Sequence, residues 1–314
     1  MCKAKGILAS LSVLLLSTTI GYANNRGVIE YPATYGSKTH LEEIRKIELT
    51  DTATVFYMTA YERPNDWFII LKDTHLTDPQ GNRYTIRGTE GVPFGELYYM
   101  NQTGHISFRL FFPPLPADVT SVDYCNGNET ATDQIWGIRL TNKPYKFKLP
   151  KGFEEASINK KATLPQPIIK NGTAHLEGSI FDYRPDLGKE LKLYIYSALD
   201  PNSDNRQVSI HPDGTFSADI DLCTPAQVYV TYQGGYIPPC FIAPGETTRI
   251  VIDPYASTRK ISLISMPRQP LLGAPVHYAG YLASLCLEMA EKVTLKPALR
   301  TYRTEQEYIS FMKD

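Results

Sequence analysis

The β-structure of this chain is shown most clearly by the run His105-Ile106-Ser107-Phe108-Arg109-Leu110-Phe111-Phe112. Apolar side chains recur at every second position from Ile106 to Phe112, which is the period of a strand with one buried face. The run stops at Pro113-Pro114, and proline donates no hydrogen bond to a strand ladder. This segment therefore predicts a strand that buries one face in a core and turns the other toward solvent.

Shorter runs of the same kind lie on both sides of this strand, between Ile44 and Leu149. Turn sequences such as Asp78-Pro79-Gln80-Gly81-Asn82 separate them, and no helical period lies between them. One run, Trp67-Phe68-Ile69-Ile70-Leu71, is apolar throughout, which predicts a central strand covered on both faces. Strands at this close spacing are typical of a β-sandwich, so we predict an N-terminal sandwich domain over 24–149.

A second unit follows a change in composition. Residues 150–170 mix lysine with proline and keep no apolar period, which indicates a linker. Alternating runs return beyond it, and Asp213-Gly214 supplies the tight reversal of a predicted hairpin. Roughly six strands predict a second sandwich domain over 171–256. The predicted fold class is mainly β, with two Ig-like β-sandwich domains followed by a short α-helical segment.

The last part of the chain, 257–314, is predicted to be a linker and helical segment. Tyr278, Leu282, Leu285 and Met289 recur at spacings of three and four, which is the stripe of a helix. A capping-box pattern, Thr304-Glu305-Gln306-Glu307, predicts a second helix. The sequence stops soon afterwards, which leads us to expect truncation before a further domain.

The first 23 residues have the three-part layout of a secretory signal peptide. Lys3 and Lys5 precede an apolar stretch from Gly6 to Ile20, and Gly21-Tyr22-Ala23 places small residues before a cleavage point. The apolar stretch is shorter than the about 20 residues of a membrane-spanning helix. We expect export to the periplasm, with the extracellular space as the alternative, and no membrane span after cleavage.

The charge of the chain argues against nucleic acid as a partner. There are 32 basic and 33 acidic residues, and cleavage after Ala23 would remove Lys3 and Lys5. A balance this small and mixed gives no field that would attract nucleic acid or anionic lipid.

No complete catalytic motif occurs in the sequence. The six histidines are isolated, and none neighbours a cysteine at zinc-binding spacing. The nucleophile-elbow pattern Gly-x-Ser-x-Gly and the glycine loop that binds phosphate are both missing. We predict no catalytic, cofactor-binding or metal-binding residues, and no cofactor.

Four cysteines remain after the predicted cleavage, namely Cys125, Cys223, Cys240 and Cys286. An exported location permits disulfides, and four cysteines allow three connectivities. Cys223 and Cys240 lie in the same predicted domain and are the possible disulfide. The alternative is that the cysteines are small buried thiols.

Trp67 and Trp136 are the candidates for an aromatic binding surface, because such rings stack on sugars in carbohydrate-binding sandwiches. Both tryptophans are flanked by apolar residues on predicted strands. We therefore favour the interpretation that both are core residues.

The run from Ile44 to Leu140 resembles the amino-terminal region of exported TlpA-type thioredoxin-like proteins of Gram-negative envelopes. The resemblance is carried there by Ile47-Glu48-Leu49-Thr50, Trp67-Phe68-Ile69, Leu76 to Tyr84, Phe108 to Pro116 and Ile135 to Leu140. The second unit resembles the β-domain that usually comes next in these proteins, through Gly178-Ser179-Ile180, Asp213-Gly214-Thr215-Phe216 and Ala243 to Thr247 followed by Ile252-Asp253, and Tyr278 to Met312 resembles the helical segment that follows it. The resemblance implies a carboxy-terminal thioredoxin domain with a redox Cys-x-x-Cys pair. This sequence contains no such pair, so no catalytic residue of the family is carried over.

Three hypotheses for function follow. The first is the non-catalytic front portion of a TlpA-type thiol-disulfide oxidoreductase, which binds or positions an envelope protein. The second is a stand-alone binding module for glycans or envelope proteins. The third is a hydrolase whose site is assembled from residues far apart in sequence.

Overall fold

The computed structural model describes residues 25–38, 42–127, 133–143, 145–159, 161, 163–166, 169–199, 204–232, 235–258 and 276–295. The predicted signal peptide over 1–23 and the predicted second helix from Thr304 lie outside these ranges. Within them the chain is mainly β, as predicted, and it forms two β-sandwich domains with one α-helix.

The first sandwich has two sheets, and a ribbon of two short strands beside them. Its strands are β1 (Asn25–Glu30), β2 (Gly36–Ser37), β3 (Glu42–Thr50), β4 (Thr54–Tyr61), β5 (Trp67–Ile69), β6 (His75–Thr77), β7 (Arg83–Thr85), β8 (Gly88–Glu90), β9 (Leu97–Tyr99), β10 (His105–Phe112), β11 (Ser121–Cys125) and β12 (Gln134–Arg139). One sheet has the strand order β1-β3-β4-β10-β8, and the other has the order β2-β12-β11-β6-β7. The remaining strands, β5 and β9, pair only with each other.

The alternation of β10 builds the core of this sandwich, as predicted. Phe108, Leu110 and Phe112 are buried on its inner face. They share one apolar cluster with Leu76 and Ile138 of the opposite sheet. Arg109, between Phe108 and Leu110, points outward and forms an ion pair with Glu90. Burial of the alternate apolar side chains is therefore what holds the two sheets together.

The second sandwich follows the predicted linker. Its elements are β13 (Gly172–Ile180), β14 (Glu190–Ser197), β15 (Asp204–Ser209), β16 (Thr215–Leu222), β17 (Ala226–Tyr232), β18 (Gly235–Ile242), β19 (Thr247–Ile252), a 3₁₀ helix (Pro254–Thr258), β20 (Val276–Gly280) and α1 (Ala283–Leu295). The sheets have the orders β16-β13-β19-β20 and β15-β14-β17-β18. β13 pairs in parallel with β19, with His175 opposite Thr247, whereas the other pairs of these sheets are antiparallel.

This sandwich continues past the boundary at 256 that the sequence predicts. Tyr278, which the sequence pattern assigns to a helix, lies in β20 at the edge of the first of these two sheets. Val276 and Tyr278 are both buried, so the local period is two. The spacing of four from Tyr278 to Leu282 fits a helix and a strand equally well, which explains the wrong prediction.

The single described α-helix, α1, packs on the second sandwich. It begins after Leu282, a residue with φ +50°, where the chain turns away from β20. Ala283, Cys286 and Ala290 form its buried face and belong to the core cluster of this sandwich. None of the helices in the described ranges is long and apolar enough to cross a membrane.

The two sandwiches are in direct contact through Tyr35. This residue precedes β2 in the first sandwich, yet its side chain is 2% exposed and lies in the core cluster of the second. Its ring meets that of Tyr255 edge-on at 5.4 Å. Nearby, Arg184 donates two hydrogen bonds to the carboxylate of Asp123, at 2.8 and 2.7 Å. An apolar contact and a bidentate ion pair therefore join the domains.

Candidate binding surface

The ribbon formed by β5 and β9 has one face against the first core. Its cross-strand pairs are Trp67 with Tyr99, Phe68 with Tyr98 and Ile69 with Leu97. The rings of Phe68 and Tyr98 lie 5.4 Å apart, and Phe68 also contacts Phe108 at 5.7 Å. Because side chains alternate along a strand, the other two pairs must point away from the core.

The outer face of this ribbon is exposed and apolar. Trp67 is 56% exposed, Leu97 is 45% exposed and Tyr99 is 61% exposed. Ile69 lies between them and is half-buried. We call Trp67, Ile69, Leu97 and Tyr99 the ribbon face. Large apolar side chains that lie together at a surface mark contact sites more often than single exposed ones do.

The structure corrects two predictions at this place. The run Trp67-Phe68-Ile69-Ile70-Leu71 is not a central strand, because only its first three residues form a strand, which pairs with β9 alone, and Ile70 adds a single bridge to Phe94. Trp67 is not a core residue, because more than half of its surface is exposed among the described residues. An apolar run has no period that could distinguish a covered face from an open one. Leu97 and Tyr99 were not predicted to be part of a binding surface, although they are two positions apart in the sequence and would lie on one face of a strand.

Trp136 does not join Trp67 in one surface. It lies on β12, is partly buried and packs against the core cluster of the second sandwich. Its backbone carbonyl accepts a hydrogen bond from the N–H of Tyr35 at 2.8 Å. Trp136 therefore belongs to the contact between the domains.

The expected disulfide between Cys223 and Cys240 is not formed in the structure. Cys223 is exposed in the turn after β16, whereas Cys240 is 1% exposed on the inner side of β18. One sulfur thus faces solvent and the other faces the core. Membership of one domain, on which the expectation rested, says nothing about these opposite directions.

Two histidine–carboxylate pairs bear on the hydrolase hypothesis. His277 Nδ1 lies 2.5 Å from Glu155 Oε1, with its ring stacked on Phe147 at 4.4 Å. His175 Nδ1 lies 2.7 Å from Asp219. Both pairs are open to solvent, with side-chain exposures of 23% or more. A groove of about 430 Å³ lies between Pro150–Phe153 and the outer face of β13, β16 and β19, and the histidine that lines it is the exposed His211, not His277 or His175. The described residues therefore do not assemble the buried pair in a polar pocket that this hypothesis requires.

No group of three or more histidine, cysteine, aspartate or glutamate residues in the described ranges is arranged to hold a metal ion. A metal site therefore enters none of the proposals below.

Three acidic residues of the first sandwich are buried, namely Glu42, Glu43 and Asp78. Glu42, at the start of β3, is 7% exposed and lies beside Tyr124 and Asp133. Burial raises its pKa well above the ordinary value of 4.5, and the negative charge of Asp133 adds to this effect. The folded protein therefore holds the Glu42 proton more tightly than the unfolded chain does.

Glu42→Gln is expected to stabilise the protein at neutral pH by about 1 kcal/mol, because the amide keeps the shape without the buried charge. Because the pKa of Glu42 is higher in the folded state, the contribution of its proton to stability is fully present below pH 4.5, the ordinary pKa of a glutamate in the unfolded chain. That stability is lost as the pH rises through the folded pKa. Urea unfolding between pH 4 and pH 8 should show the loss in the wild type but not in the variant. Glu190→Gln, at an exposed position on β14, is the matched control, and equal pH profiles for the wild type and Glu42→Gln would contradict the prediction.

The described residues form two β-sandwich domains, the first of which carries an exposed apolar face with two aromatic side chains. The sequence matches no protein-family model and no curated protein. Among solved structures, it is similar to the crystal structure of a pullulanase from Anoxybacillus sp. LM18-11, at 10% identity and a TM-score of 0.23. The match covers 72% of this chain and 26% of that chain. A likeness of this size carries no argument about function.

Proposed function

We propose that the chain is a protein-binding module of the cell envelope, which holds an extended segment of a partner protein on the ribbon face. The observation that carries this proposal is the exposed pair of Trp67 and Tyr99, directly opposite each other on β5 and β9. Tryptophan and tyrosine are the residues most often found at the energetic centre of protein interfaces. Each gives a large rigid contact area at a small cost in side-chain entropy.

A polypeptide fits this face better than a sugar does. Two of the four side chains, Ile69 and Leu97, are aliphatic, and they present a surface for apolar side chains of a partner. The outer side of β5 is partly occupied, because the Asn126 side chain accepts a hydrogen bond from the N–H of Leu71 and donates one to the carbonyl of Ile69. In the sheet order β9 pairs with β5 alone, so its other edge has no described strand beside it. Such an edge can accept an extended segment as a further strand, with main-chain hydrogen bonds for affinity and side-chain contacts for selectivity.

The resemblance to TlpA-type proteins supports a particular class of partner. Trp67-Phe68-Ile69, which forms β5, is one of the runs that carry this resemblance. In such a protein, a non-catalytic front portion would hold a partly unfolded envelope protein whose cysteines are to be exchanged. We therefore take an unfolded polypeptide as the partner and the chain as the part that positions it.

The test is titration of the purified chain with reduced, carboxymethylated α-lactalbumin, an unfolded polypeptide. Trp67→Ala and Tyr99→Ala should each weaken binding at least about tenfold, because each removes a central anchor. Tyr196→Ala, which truncates a tyrosine of similar exposure on β14, should leave the affinity unchanged. Unchanged binding by Trp67→Ala, with a native circular dichroism spectrum, would rule the ribbon face out.

The same variants distinguish the glycan hypothesis. The chain is titrated with maltoheptaose and cellohexaose in parallel with the polypeptide. Binding of a sugar that is lost in Trp67→Ala, without binding of the unfolded polypeptide, would replace the protein partner with a glycan.

A further inference from the structure

The core of the second sandwich contains two cysteines that come from different elements. Cys240 lies on β18 and is 1% exposed, and Cys286 lies in the first turn of α1 and is fully buried. Both belong to the same apolar cluster, and α1 packs directly on β18. The sequence gives no sign of this pairing, because the two cysteines are about 46 positions apart.

Both thiols are free in the structure and lie in the same apolar cluster. The backbone N–H of Phe241, the residue that follows Cys240, partly offsets the effect of burial on the pKa of the Cys286 thiol. The amide nitrogen of Phe241 is bonded to the carbonyl carbon of Cys240, so the Cys286 sulfur reaches the immediate surroundings of Cys240. The hydroxyl of Tyr278 donates a hydrogen bond to the carbonyl of Pro238, on β18, at 3.1 Å. Burial, with a smaller contribution from Cys240 and Cys286, raises the pKa of this hydroxyl.

We infer that Cys240 and Cys286 are a redox pair that forms a disulfide and fastens α1 to the second sandwich. The oxidant is a disulfide, either of a thiol-exchange protein or of a small molecule. One cysteine thiolate attacks the oxidant and forms a mixed disulfide, and the second cysteine then displaces the oxidant's remaining sulfur. In total two S–H groups lose two protons and two electrons, one S–S bond forms, and the oxidant is reduced to two thiols.

The surroundings of the pair determine when the reaction occurs. Burial raises the pKa of Cys286 to about 11, and burial together with the neighbouring Cys286 raises the pKa of Cys240 further. A thiol with a raised pKa is a poor nucleophile at neutral pH, because little of it is thiolate. The bond should therefore form while α1 is undocked, during folding or local opening, and docking of α1 should then protect it.

The test is to refold the reduced chain in a buffer of reduced and oxidised glutathione and to block remaining thiols with iodoacetamide. Non-reducing peptide mapping should find the Cys240 peptide joined to the Cys286 peptide, while Cys125 and Cys223 are alkylated. A peptide joining Cys223 to Cys240, or four alkylated cysteines, would overturn the inference.

The fastening of α1 is measured by thermal unfolding. The oxidised wild type should melt about 5 °C above its reduced form, because the bond closes a loop of about 46 residues. Cys286→Ala should lose this difference, and Cys223→Ala, at the exposed thiol, should keep it. Equal melting temperatures of the linked and reduced wild type would overturn the fastening role.

Discussion

Gly280→Ala is expected to lower the free energy of unfolding by at least about 3 kcal/mol. Gly280 ends β20 with a φ of +86°, in the left-handed region that favours glycine. A Cβ atom at this position would lie 2.2 Å from the carbonyl oxygen of Thr247, at the start of β19. That oxygen belongs to the backbone and accepts a hydrogen bond from the N–H of Tyr281 at 3.0 Å, so it has no room to move.

Two other glycines separate the cost of the backbone conformation from the cost of the steric clash. Gly81 has the same φ of +86°, but a Cβ there meets nothing within 4 Å, so Gly81→Ala should cost only the backbone strain of about 1 kcal/mol. Gly188 has neither the unusual φ nor a crowded Cβ position, and Gly188→Ala should stay within about 0.5 kcal/mol of the wild type. Urea unfolding gives the three values. If Gly280→Ala costs no more than Gly81→Ala, the close approach to Thr247 is not present in solution.

Tyr35→Ala is expected to lower the free energy of unfolding by about 3 kcal/mol, because it leaves a ring-sized cavity between the two sandwiches. The side chain is 2% exposed, and its ring packs edge-on against Tyr255. A substitution at this position therefore weakens the second sandwich although Tyr35 belongs to the first. Trp67 and Trp136 both lie in the first sandwich, so tryptophan fluorescence reports the unfolding of that domain, whereas circular dichroism reports both domains. In urea, the two signals should lose their common midpoint in this variant.

Matched variants test whether the ring or the hydroxyl matters. The Tyr35 hydroxyl lies 3.4 Å from that of Tyr232, a long contact, so Tyr35→Phe should cost no more than about 1 kcal/mol. Tyr99→Ala makes the same truncation at a side chain that is 61% exposed and should stay within about 0.5 kcal/mol. Equal costs for Tyr35→Ala and Tyr99→Ala would show that the domains are not packed through this ring.

The sequence predicts the strands best where polar and apolar residues alternate. The run ending in Phe112 has a period of two, and its buried residues follow directly from it. The same reasoning fails at Trp67, since a uniformly apolar run does not indicate how many layers will cover it. It fails again at Tyr278, where a spacing of four residues fits both a strand and a helix.

The candidate sites depend on contacts between elements far apart in the chain, and these have no local pattern. Trp67 meets Tyr99 only because β5 and β9 form a ribbon. Cys240 meets Cys286 only because α1 docks on β18, whereas Cys223, closer in sequence, points to solvent. The sequence alone could name the aromatic residues and the cysteines, but it could not show which of them face each other.

The parallel pairing of β13 with β19 has a consequence for biosynthesis. β13 is the first strand of the second sandwich to leave the ribosome, but its parallel neighbour follows about 70 residues later. The opposite edge of β19 is then completed by β20, which comes later still. An early strand that must wait for a late partner keeps a nascent domain open until most of its residues have been made. Translation therefore finishes nearly all of this domain before the sheet with the order β16-β13-β19-β20 can be completed.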